Sequence, residues 1–299
     1  MLRHALCSFL LCCGVALSAA DVTVEGWLAK ADSLRTMGLD AASLDLLKSA
    51  QHEFEANGDP CSSALLAERR ARIHLDWKNP LHADVALTEA IRFSEQCPGL
   101  AEQRVGWRLS LAEASLEQGK RKEARTLLLG LARMTSEEGV SPERKALAVS
   151  AMEQLAAMSF EEGAYEEAEA DHLARASVLL ELDRREAAAI ALGWAAVCHS
   201  LEHPEVAPDY WSGFEDNPAW RAIPVERKVV HGTEWGRLLL EGRAMATFDA
   251  MGQWPWAKAV EAGTDVVPPE WTARWGLLQA RRWKSRPTQA LAASLHAEL

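Results

Sequence analysis

Residues 158–168 run Met158-Ser159-Phe160-Glu161-Glu162-Gly163-Ala164-Tyr165-Glu166-Glu167-Ala168, and their spacing decides the fold. Gly163 interrupts a helix-forming run, and a small residue, Ala168, follows five positions later. Another small residue, Ala156, stands twelve positions before Ala168. The same offsets recur upstream: Gly38 before Ser43 with Ala31, Lys78 before Ala83 with Ala71, and Gly119 before Ala124 with Ala112. The anchors Ser43, Ala83, Ala124 and Ala168 are 40, 41 and 44 residues apart. Self-similarity at such a period marks a stacked repeat. Seven positions after each anchor stand Ala50, Ala90 and Leu131, and the fourth repeat places Arg175 there.

Two antiparallel helices joined by a tight turn approach closely only where small residues face each other. Ala31 and Ser43 are read in that role in the first repeat. A glycine after the first helix lets the chain leave the right-handed helical region. Apolar residues at helical spacing, such as Leu44, Leu47 and Ala50, then bury one face on the first helix and another on the next repeat. One pair cannot bury its own apolar face, so several must stack. Composition agrees: the 299 residues include 52 Ala and 40 Leu, which are strong helix formers, against few β-branched residues. With 48% apolar and 25% charged residues the chain is ordinary globular protein. A formal charge of -11 disfavours a nucleic-acid partner, since neutralising phosphates needs excess Lys and Arg. No 18-residue apolar run follows the first twenty residues, which excludes a polytopic membrane protein.

The Gly163 turn, with an aromatic two residues later and Ala three after that, resembles the turn of the tetratricopeptide repeat family. Gln118-Gly119-Lys120-Arg121-Lys122-Glu123-Ala124 is similar without the aromatic, and Trp27 takes the family's aromatic position four residues before Ala31. In the second repeat Ala67 replaces that aromatic, and Lys78-Asn79-Pro80 replaces the glycine. The period of about 40 exceeds the family's usual ~34 and implies longer helices, as in long-repeat bacterial variants. The resemblance covers roughly residues 24–182. It implies an all-α, right-handed superhelical solenoid of antiparallel helix pairs. It also implies a concave groove lined by the first, or A, helix of each pair. The groove positions are Leu28 and Asp32, Glu68 and Arg72, Leu109 and Glu113, then Glu153 and Ala157. They carry acids where the family's carboxylate clamp uses cations, so a basic or neutral protein or peptide segment is the expected partner.

The N-terminus places the chain in a compartment. Arg3 and His4 precede an apolar stretch from Ala5 to Leu17, and Ser18-Ala19-Ala20 stands before Asp21. That is the layout of a secretory signal peptide over residues 1–20, and export to the periplasm or medium is expected. Lipid attachment at Cys12 or Cys13 is the lesser alternative, because Leu11 and Cys12 precede them where Gly, Ala or Ser is usual. With Cys7, Cys12 and Cys13 in the leader, Cys61, Cys97 and Cys198 remain. Cys61 opens the A helix of the second repeat and Cys97 ends its B helix, so antiparallel packing brings them within reach of a disulfide. The alternative is two unpaired thiols.

Residues 21–202 are thus expected to form four to five helix pairs. Residues 203–232 form a Pro- and aromatic-rich connecting loop, and 233–299 Trp-rich helical pairs, with helical pattern resuming from Thr233 to Met251. Nine of the twelve Trp lie from residue 194 onward. Trp194, Trp235 and Trp275 fall within amphipathic helices and are expected in the core. Trp211, Trp220, Trp254, Trp256 and Trp271 lie in or beside loops, either as binding hot spots or as seals between helices. His199-Ser200-Leu201-Glu202-His203 matches the H-x-x-E-H order of zinc hydrolases. Pro204 ends that helix at once, and a chance surface pair is the alternative. Nucleophile-elbow, dinucleotide and phosphate-loop motifs are absent. The expectation is an exported binding scaffold without catalysis or cofactor. Candidate binding residues are Asp32, Glu68, Arg72, Glu113, Glu153, Trp211, Trp220, Trp254 and Trp256. The alternatives are a carbohydrate- or small-ligand-binding protein using the C-terminal Trp cluster and, more distantly, a zinc hydrolase at His199, Glu202 and His203.

Overall fold

A computed structural model describes residues 23–136, 139–261 and 273–282. The expected signal peptide, its three cysteines, Trp271 and Trp283 lie outside the described residues. Among the described residues the protein is all-α, with no strand, and no helix is long and apolar enough to cross a membrane. The helices are α1 (Val24–Thr36), α2 (Asp40–Ala56), α3 (Pro60–Asp76), α4 (Pro80–Ser94), α5 (Ala101–Glu117), α6 (Arg121–Arg133), α7 (Pro142–Glu161), α8 (Tyr165–Glu181) and α9 (Arg185–Glu202). They continue with the short α10 (Asp209–Ser212) and α11 (Pro218–Arg221), then α12 (Val225–Glu241), α13 (Met245–Met251) and α14 (Pro255–Glu261). A last helix, α15, spans 273–282.

Local chemistry explains the boundaries. Pro occupies the first turn of α3, α4 and α7, where its missing N–H costs nothing. Asp59, Asn79 and Ser141 cap those helices by accepting from the backbone N–H three residues on. The A-to-B turns share one geometry. Gly38, Gly119 and Gly163 hold positive φ of 73°, 75° and 75°, and Lys78 holds the same position at 52°. In each turn the next residue's N–H reaches back to the helix that has just ended: Leu39 to Leu34 O, Asn79 to His74 O, Lys120 to Ser115 O and Ala164 to Ser159 O.

The chain divides into two compact units at Arg121/Lys122, inside the stretch expected to be one solenoid. In the N-terminal unit, α1 to α5 pack each on the next. The anchors and their partners are buried: Ala31, Ser43 and Ala83 are fully inaccessible and Ala71 nearly so. The Ser43 hydroxyl donates to the Ala31 carbonyl at 3.0 Å, so the first crossing also carries a hydrogen bond. Cys61 and Cys97 lie at disulfide distance, with Cα atoms 5.7 Å apart. Such a pair is compatible with an oxidising compartment.

In the C-terminal unit, α7, α8 and α9 pack in order, with Ala156 and Ala168 fully buried. Two expectations need correction. Helix resumes at Val225, not Thr233, because Pro224 supplies an extended cap and Val229 gives the next turn a buried residue. The 203–232 connector therefore ends early, and it holds α10, α11 and a 3-10 turn. The helix expected to run unbroken to Met251 is split at Gly242-Arg243, where Arg243 holds φ of 60°. Glycines also serve close approach here. A Cβ on Gly193 would meet the Trp235 indole at 2.0 Å, and one on Gly232 would meet Trp256 at 2.3 Å.

Candidate functional site

The tryptophans proposed as surface hot spots are core residues. Trp211 and Trp220 are at most 1% exposed, Trp256 2% and Trp254 7%. Trp211 lies 4.5 Å from Trp254 and 5.0 Å from Phe214 between ring centroids, while Trp220 stacks on Trp235 at 5.6 Å. Of the two roles considered for them, this is sealing. Within 209–221, Trp211, Phe214 and Trp220 are buried on three short helical turns.

His199 is held by α8: its Nδ1 lies 3.0–3.1 Å from the Glu169 carboxylate. His203 is the C-cap of α9, outside helical geometry, with its ring 5.1 Å from that of His199. Among the described residues no three His, Cys, Asp or Glu side chains gather as a metal site requires. Cys198 beside them is buried, and burial pushes its thiol up to about 12, with the charge of Glu169 adding to the effect.

Two of the acids at the groove positions of the N-terminal unit are paired with arginine. Asp32 on α1 pairs with Arg69 on α3 at 3.1 Å. Glu68 accepts from Arg72 Nε at 3.0 Å on the same helix. Glu113 is exposed on α5. Arg69, absent from the expected set, neutralises the first of these acids.

Glu153, the fourth-repeat groove residue, leads to a better-formed site. It lines a cleft of about 320 Å³ with Ala157, Phe160 and Glu161 of α7, His172 and Arg175 of α8, Trp194 of α9, and Glu234, Arg237 and Leu238 of α12. Glu153, Ala157 and Glu161 recur every four residues along one face of α7. His172 and Arg175, three apart, share one face of α8. The buried Ala156 and Ala168 hold those two helices close enough for Arg175 Nη2 to reach Glu153 Oε1 at 2.8 Å.

One wall is aromatic. The His172 ring lies parallel to Trp194 at 6.1 Å and 19°, and Phe160 meets Trp194 edge-on at 6.1 Å. The opposite rim is tied by Arg237, which donates to Glu234 and Glu241 at 2.7 Å each; these bonds raise its pKa. His172 is 6% exposed and Arg175 9%. Burial pushes His172 down to about 4, with the charge of Arg175 adding, so its ring is neutral at pH 7. Burial also lowers Arg175, against the pull of Glu153, yet it remains a cation. Among the described residues, Arg175 Nε and His172 Nδ1 have no hydrogen-bond partner.

His172, Arg175, Phe160 and Trp194 were not among the expected site residues. Trp194 was expected in the core and is instead half-buried on this wall. One signal was available: Arg175 stands where the other three repeats place Ala or Leu. Compared with known proteins, the chain matches no family model and no curated sequence.

Proposed function

We propose that this chain is an exported, tetratricopeptide-like scaffold that binds a protein or peptide segment on the faces of its A helices, without catalysis of its own. The observation that carries the reading is the Asp32–Arg69 pair. It ties consecutive A helices α1 and α3 side by side, so their outward residues form one continuous surface. That surface carries Glu68 and Arg72, and the exposed Glu113 of α5 adds an acidic bias suited to a basic or neutral segment. The Cys61–Cys97 pair supports export, since small helical modules gain a staple where thiols oxidise.

The tagged full-length protein, crosslinked mildly in its native cell envelope and purified, identifies a partner whose affinity can then be measured. Binding should weaken as salt rises and in Glu68→Gln and Glu113→Gln variants. A partner indifferent to salt and to both substitutions would overturn the charge-guided reading.

A further inference from the structure

The cleft around Arg175 holds two polar atoms that a purely structural role leaves unexplained. Arg175 and His172 are each more than nine-tenths buried and line the cleft, yet Arg175 Nε and His172 Nδ1 have no hydrogen-bond partner among the described residues. Buried polar groups are normally satisfied, because leaving one unpaired costs about 1–3 kcal/mol. The cation therefore presents an unmet need for an acceptor. Its ion-pair partner among the described residues, Glu153, has a side chain 57% exposed, with room to swing toward a second cation.

The remaining lining restricts what can enter. Glu153, Glu161 and Glu234 against Arg175 and Arg237 make the wall net acidic, which disfavours a simple anion. Phe160, Trp194 and Leu238 offer an apolar and aromatic face. A volume near 320 Å³ sits at the small end of ligand cavities, which span roughly 300–1,000 Å³.

We propose that this cleft is a binding site for a free α-amino acid with an apolar or aromatic side chain. The ligand carboxylate takes the place of Glu153 as acceptor from Arg175 Nη2. Its ammonium takes over Glu153 from Arg175, and its side chain packs against Trp194, Phe160 and Leu238. A zwitterion meets the buried cation and the acidic rim together, as neither a plain acid nor a plain amine can. The site shares Glu153 and Ala157 of α7 with the A-helix groove, and titration with small molecules alone reads it separately from partner binding.

Isothermal titration of the full-length protein with L-phenylalanine, L-phenylalaninamide and N-acetyl-L-phenylalanine tests this without any variant. Saturable binding of the free amino acid is expected, with both blocked forms at least tenfold weaker. Arg175→Gln and Glu153→Gln should each weaken L-phenylalanine binding at least tenfold, while Glu166→Gln, on the first turn of α8, leaves it unchanged. No heat of binding, equal binding of all three compounds, or preference for either blocked form would overturn the assignment.

Discussion

Replacing Gly193 by alanine should destabilise the C-terminal unit more than a single added methyl usually does. The new Cβ would lie 2.0, 2.3 and 2.7 Å from Cη2, Cζ2 and Cζ3 of Trp235. Carbon atoms rest about 3.5–4.0 Å apart, so the indole must retreat by roughly 1.5 Å. It has nowhere to go: Trp235 is fully buried, with Trp220 stacked at 5.6 Å, His231 at 5.9 Å and Trp211 at 6.1 Å. Overpacking of this kind costs about 1–3 kcal/mol, and the rigid surroundings put this case at about 3. That corresponds to a fall in Tm of about 6–12 °C for a unit of this size. Gly130→Ala is the control, because it adds the same methyl inside α6 with nothing within 4 Å. It should raise stability by about 0.5–1 kcal/mol through helix propensity. Tryptophan fluorescence follows both melts, since nine of the twelve Trp lie from residue 194 onward. A Gly193→Ala protein as stable as wild type would refute the close approach of α9 and α12.

Reducing the Cys61–Cys97 pair, which closes 36 residues, should lower stability by about 3–4 kcal/mol in the chain-entropy model, seen as an earlier urea midpoint by circular dichroism. An unchanged midpoint, or three reactive thiols on the unfolded, unreduced mature protein, would count against the bridge. Lys78→Gly should stabilise by about 0.5–1 kcal/mol, because Lys78 sits at φ 52° where glycine carries no Cβ penalty; a lower Tm would contradict this. Burial pushes Asp171 up to about 6, opposed by Arg125 and reinforced by Glu167. Its ionisation therefore costs stability as pH rises from the unfolded value near 3.8 through 6, and the cost persists above that. Asp171→Asn should be more stable than wild type at pH 7, with the advantage gone near pH 4. His172, at about 4 in the folded state, acts in the opposite sense and loses stability as pH falls from 6.5 to 4. Denaturant melts across that range separate the two, and an Asp171→Asn advantage that grew on acidification would contradict the sign.

The all-α order of consecutively packed helices was readable because close helix contact favours small side chains, and Ala31, Ser43, Ala83 and Ala168 are all buried. The Cys61–Cys97 proximity followed from the same pairing. The C-terminal region resisted for a physical reason. There, contact is made by glycine beneath an indole, as at Gly193 under Trp235 and Gly232 under Trp256, and neither the spacing nor the residue type matches the upstream pattern. Prolines 208, 218 and 224 suggested open loop, but Pro208 and Pro218 start short helical segments and Pro224 caps the 17-residue α12. Of the site, Glu153 and Ala157 were placed by register alone. Arg175 appeared only as a flaw in that register, and His172 and Trp194 carried no signal, because their meeting depends on how α8 packs against α9.

Photo-crosslinking from defined positions in living cells tests the binding surface most directly. A benzoylphenylalanine at Arg72 or Glu113, on the A helices α3 and α5, should yield partner adducts. The same residue at Lys48 or Thr88, exposed on the B helices α2 and α4, should yield none. Adducts from Lys48 and Thr88 with none from Arg72 and Glu113 would place recognition on the opposite face and contradict the account.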